Sequence, residues 1–109
     1  MIAKEAYEFS FPDYFDGYAA AIEAKGYFAD LVVKVGDVLY KPVFYDGVRL
    51  RQEYESHFAD GFTAFSERSL VIIPAATRQH ITDAIHELAR AGFRTLVPEH
   101  TAPSRSLDG

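Results

Sequence analysis

Hydrophobic and polar positions alternate at both ends of the chain, and between these alternations lie stretches with helical spacing. Tyr7, Phe9 and Phe11 alternate with Glu8 and Ser10, which predicts a short strand with one apolar face. Pro12 or Asp13 then opens a predicted helix to Lys25, in which Phe15, Tyr18, Ala19 and Ile22 fall on one stripe and Asp16, Ala20 and Ala24 face outward. Gly26 stops that helix, and Tyr27-Phe28 leads into Leu31-Val32-Val33. The far end repeats the order. Leu70 to Ile73 is an unbroken apolar run read as a central strand, and Thr77 is an N-cap for a helix with Ile81, Ala84, Ile85 and Leu88 on its apolar stripe. Gly92 stops this second helix, and Phe93 to Val97 is read as a final strand before Pro98.

The middle of the chain reads differently. From Phe28 to Tyr54 the pattern gives three strands joined by two-residue turns at Gly36-Asp37 and Asp46-Gly47. A hairpin at Asp46-Gly47 pairs Tyr45 with Val48 and Val43 with Leu50, leaving Arg49, Arg51, Glu53 and Glu55 on the opposite face. Applied to Gly36-Asp37, the same rule puts Tyr40 and Phe44 on that charged face, so the two turns disagree about which side is buried. Pro42 marks a place where the strand can be re-aimed. Residues 55–68 have no clean period but hold three Phe, which argues against full solvation.

The summed order, β-α-β-β-β-loop-β-α-β, predicts one α+β domain over residues 1–98, with two helices packed on a mainly antiparallel sheet. It resembles the ferredoxin-like split βαβ plan with an extra central hairpin. Residues 99–109 have little to bury and are expected to form a disordered C-terminal tail.

Composition narrows the function more by exclusion than by indication. Net charge is −5 with a pI near 5.2, the wrong sign for a surface that holds phosphate backbones, so nucleic acid is not an expected partner. No cysteine is present, which removes disulfides and thiolate chemistry. The longest apolar run, Leu70 to Ala76, is far short of a membrane span, and Met1 to Ala6 lacks an apolar signal core, so the expected location is the cytoplasm. Nine Phe and seven Tyr supply rings to a core or a contact surface.

Candidate chemistry is sparse. His57, His80, His86 and His100 are too dispersed for a metal site, and His80 and His86 point about 120° apart on one helix. His57, with Glu55 and Asp60 nearby, is the one histidine placed for proton transfer. No serine lies in a nucleophile-elbow context and no glycine set has phosphate-loop spacing. Neither catalytic residues nor a metal or cofactor is therefore expected. The expectation is a small acidic, non-catalytic module of the inhibitor, immunity-protein or phage-accessory type. Its partner would be another protein, with a basic one favoured by charge, or a second copy of itself. The interaction surface is assigned to Tyr40, Phe44, Arg49, Arg51, His57, Phe62 and Phe65. The alternative is a dimeric α+β barrel that binds or transforms a small ligand, with His57 or a tyrosine as its polar group.

Overall fold

A computed structural model describes residues 6–99, which form an α+β domain of six short strands and three α-helices. The expected tail lies, from residue 100 on, outside the described residues. Strand β1 (Tyr7–Phe9) leads through a 3-10 turn (Asp16–Tyr18) into α1 (Ala19–Lys25). Strands β2 (Tyr27–Phe28), β3 (Val33–Val35), β4 (Val38–Tyr40) and β5 (Val43–Tyr45) follow, then α2 (Gly47–Ala59), β6 (Leu70–Ile72) and α3 (Arg78–Arg90).

The one sheet expected of a ferredoxin-like plan is divided in two. The first sheet has the order β1-β3-β4 and is antiparallel throughout; the second has the order β2-β5-β6, with β2 antiparallel and β6 parallel to β5. Pro42 sits fully buried where the chain passes between them: Tyr40 still pairs with Val33, and Val43 already pairs with Leu70. Lacking an N–H, proline suits a point that belongs to neither ladder. The Gly36-Asp37 turn forms as expected, with Val35 opposite Val38, and Gly36 takes the positive φ of 59° that the first position of a type II′ turn demands.

Asp46-Gly47 is not a turn. Asp46 caps α2, its carboxylate accepting the Arg49 N–H at 2.7 Å, so the expected third strand and its cross-strand pairs with Val48 and Leu50 do not exist. The expected strand over Phe93–Val97 is also absent. Phe93 takes a left-handed φ of 58°, and the only ladder contact here is a single bridge between Tyr40 and Pro98. Strand β6 lies at an edge rather than the centre of its sheet, and Ile72 is 60% exposed.

The core sits between the two sheets and α3. Phe15, Phe28, Leu31, Val33, Phe44, Ile81 and Ile85 are all buried, and Phe15 meets Phe28 edge to face at 4.9 Å. Helix α3 behaves as its pattern requires: Thr77 accepts the His80 N–H at its start, and Ile81 and Ile85 are withdrawn from water completely. Arg78, in its first turn, stacks over Phe11 at 4.3 Å and pairs with Asp16 at 2.8 Å, tying the 3-10 turn to α3. Tyr18, expected on the buried stripe of the first helix, is instead 61% exposed. That helix opens as a 3-10 turn, whose threefold period rotates Tyr18 away from Ile22. No helix among the described residues is long and apolar enough to cross a membrane.

Candidate functional site

None of the thirteen residues of helix α2 is fully buried, and its inner face, Arg49, Leu50, Glu53, Tyr54 and His57, is half-buried. Local terms add to what that face contributes. Besides the Asp46 cap, Arg49 reaches Glu53 at 2.8 Å and Arg51 reaches Glu55 at 3.0 Å, both four residues apart along the helix. At its end the N–H groups of Asp60 and Phe62 return to the His57 carbonyl, and Gly61 turns with a φ of 98°. The inner side of α2 rests on a polar aromatic seat. The Arg49 guanidinium lies 5.8 Å from the Tyr27 ring centre, Tyr27 packs on Tyr45, and the Tyr45 hydroxyl donates to Glu67 at 2.7 Å. Burial pushes the Tyr45 phenol well up, and the bond to Glu67 adds to that.

Rings gather toward the C-terminal end of α2, where half-buried Tyr54 and His57 meet more exposed neighbours. His57 stacks on Phe62 at 4.3 Å with the planes 16° apart, Phe65 meets His57 edge on, and Tyr54 packs against Phe58. Phe58 is 47% exposed, Phe62 58% and, at the other end of the helix, Val48 70%. Five of the seven residues expected at an interaction surface therefore meet on one segment: Arg49, Arg51 and His57 on α2, with Phe62 and Phe65 just beyond it. The other two are elsewhere. Phe44 is fully buried in the core and cannot present its ring to a partner. Tyr40 is half-buried in the other sheet, stacked on Phe93 at 5.6 Å.

Val48 and Tyr54, read as strand residues, faced away from the arginines, and Phe58 fell in the stretch 55–68 without a clean period, so none of the three was assigned to the surface. The i,i+4 spacing of Arg49 with Glu53 and Arg51 with Glu55 was the helical signal that would have found them. His57 is held between two rings, and among the described residues its imidazole makes no hydrogen bond to Glu55 or Asp60, the partners that proton transfer would use. The described residues hold no group of three or more His, Asp or Glu suited to a metal ion.

A second exposed aromatic feature lies at the start of α1. The Tyr14 hydroxyl donates to Asp30, and Tyr14 meets Tyr18 edge on with ring centres 6.1 Å apart. The hydrogen bond to Asp30, more than desolvation or charge, pushes the Tyr14 phenol up to about 12. A raised phenol favours the folded state below the ordinary tyrosine range, and that contribution is lost as pH climbs through 12. Spectrophotometric titration at 295 nm should therefore show a late tyrosine phase that shrinks in Asp30→Asn; an unchanged phase would mean the bond does not form in solution. No protein-family model, curated protein or solved structure matches the chain.

Proposed function

We propose that this domain is a small, non-catalytic protein-interaction module of the inhibitor, immunity-protein or phage-accessory kind, working in the cytoplasm and binding another protein through α2 and residues 60–66. The observation that carries the reading is a thirteen-residue helix with no buried residue that ends in a cluster of partly exposed rings. A chain that only needed to connect β5 to β6 gains nothing from exposing Val48, Phe58 and Phe62 on one segment. Large exposed apolar groups rimmed by charge are the usual anatomy of a contact surface. The net charge of −5 favours a basic partner.

The test is affinity capture from native lysate with the wild-type chain and with Arg51→Ala and Phe58→Ala/Phe62→Ala. The expected result is a stoichiometric protein partner whose affinity falls by at least about 1–2 kcal/mol in the variants. Their melting temperatures should stay near wild type, because exposed side chains contribute within about 0.5 kcal/mol. Undiminished capture by both variants would remove the site from α2. Copurification of a small molecule in place of a protein would favour the ligand-binding alternative.

A further inference from the structure

Four aspartates precede a glycine, Asp16, Asp46, Asp60 and Asp108, and the chain contains no asparagine. Glycine carries no side chain to shield its amide nitrogen, so that nitrogen can attack the preceding aspartate's own carboxyl and close a five-membered imide. The fold decides which carboxyl is available. Asp16 pairs with Arg78 at 2.8 Å and stands in the 3-10 turn, and Arg78 is held in its turn over the Phe11 ring. Asp46 accepts the Arg49 N–H at 2.7 Å and donates its own N–H to the Gly26 carbonyl at 2.9 Å. Both carboxylates are anchored. Asp60 is exposed at the C-terminal end of α2, and among the described residues no ion pair or hydrogen bond engages its carboxylate. The space beside Gly61 is open, with no atom beyond its chain neighbours within 4 Å of where a Cβ would stand. Asp108 lies outside the described residues.

We propose that Asp60-Gly61 is a site of spontaneous isoaspartate formation. The Gly61 nitrogen bonds to Cγ of the protonated Asp60 carboxyl, and the carboxyl hydroxyl leaves with the amide proton as water. Water then adds back to one of the two imide carbonyls. Opening at Cγ restores aspartate, whereas opening at the main-chain carbonyl leaves the chain running through Cγ, with the mass unchanged and only water released and consumed. One bond stands in the way, from the Gly61 N–H to the Phe58 carbonyl at 3.0 Å. It closes the last turn of a helix with no fully buried residue, and such ends open at little cost in free energy. The product inserts a methylene into the main chain between α2 and Phe62. Asp60 and Phe62 both donate their N–H groups to the His57 carbonyl, and the Phe62 ring stacks on His57, so the insertion loosens that pair. A change in recognition would follow only on the reading proposed above, and the chemistry itself does not depend on it.

The test incubates the full chain in mildly acidic buffer at body temperature, digests it with trypsin and maps the peptides by electron-transfer fragmentation, which cleaves isoaspartate at its Cα–Cβ bond. Trypsin cuts after Lys and Arg, so the four Asp-Gly pairs fall in four separate peptides. With no asparagine in the chain, every isoaspartate found must come from aspartate. Conversion at Asp60 should run at least about tenfold faster than at Asp16 or Asp46, the ratio that 1.4 kcal/mol of anchoring sets. In concentrated guanidinium chloride, where no anchor survives, the three rates should converge. Asp60→Glu keeps the charge but would need a six-membered ring. It should abolish the signal in its peptide while leaving circular dichroism and the rates at Asp16 and Asp46 as in wild type. No isoaspartate at Asp60, or equal rates at the three sites in the folded chain, would overturn the proposal. So would a lead for Asp60 that persists undiminished in guanidinium chloride, because sequence alone would then account for it.

Discussion

Phe44→Ala should lower the free energy of unfolding by about 3–5 kcal/mol, the range found when a phenylalanine is removed from a packed core. Phe44 is fully buried in β5, the middle strand of its sheet, between β2 and β6. Truncation would open a cavity bordered by two ladders that cannot collapse without breaking their register. In a domain of about this length each kcal/mol is worth about 4–8 °C, so thermal melting should drop by tens of degrees. Phe62→Ala, on a side chain 58% exposed, should barely move the melt. The pair of measurements separates core from surface, and a Phe44→Ala protein that melts like wild type would return that ring to the interface.

The second large effect is expected at Gly26. It ends α1 with a φ of 71°, its carbonyl accepts the Asp46 N–H at 2.9 Å, and the Asp46 carboxylate lies directly against its Cα. Alanine there costs about 1–2 kcal/mol for the left-handed backbone. Its methyl would also overlap the Asp46 carboxylate, which must swing away and release the cap of α2, worth a further 0.5–2 kcal/mol or so. Because α2 has no fully buried residue to hold it, its helicity should suffer in proportion. Far-ultraviolet circular dichroism and urea titration of Gly26→Ala, Asp46→Ala and the double variant would check this. The cap can be lost only once, so the double variant should cost less than the sum of the singles. Strict additivity would show that the two sites do not act through the cap.

What the chain spells out locally is what its sequence made legible. Gly26 and Thr77 bound their helices, Ile81 and Ile85 carry the α3 stripe inward, and Gly36-Asp37 closes its hairpin, because in each case one short-range signal has one outcome. Asp46-Gly47 has two. The same dipeptide that makes a hairpin turn also makes a helix cap and first residue, and the alternation from Val48 to Glu55 tips the reading toward a strand. Only the spacing of the Arg-Glu pairs favours the helix. Leu96-Val97 reads as a strand but follows Phe93, whose positive φ turns the chain aside; tertiary packing selects that conformation, and a non-glycine residue does not announce it. The surface was assigned by residue type, and Arg49, Arg51, His57, Phe62 and Phe65 lie on one segment of the structure. The misplaced element put Tyr40 and Phe44 on the face of the arginines, whereas Phe44 is buried and Tyr40 half-buried in the other sheet.

Parallel neighbours such as β5 and β6 cannot be joined by a tight turn, so the topology requires some excursion between them, and α2 is that excursion. Its presence is fixed by the fold, while the identity of its outward side chains is not. Substitutions at positions such as Val48, Arg51, Gln52 and Glu55 each carry a stability cost within about 0.5 kcal/mol, against several for the residues beneath the sheets. A lineage can therefore rewrite this surface step by step without crossing an unfolded intermediate. Recognition and architecture can diverge at different rates within one small chain.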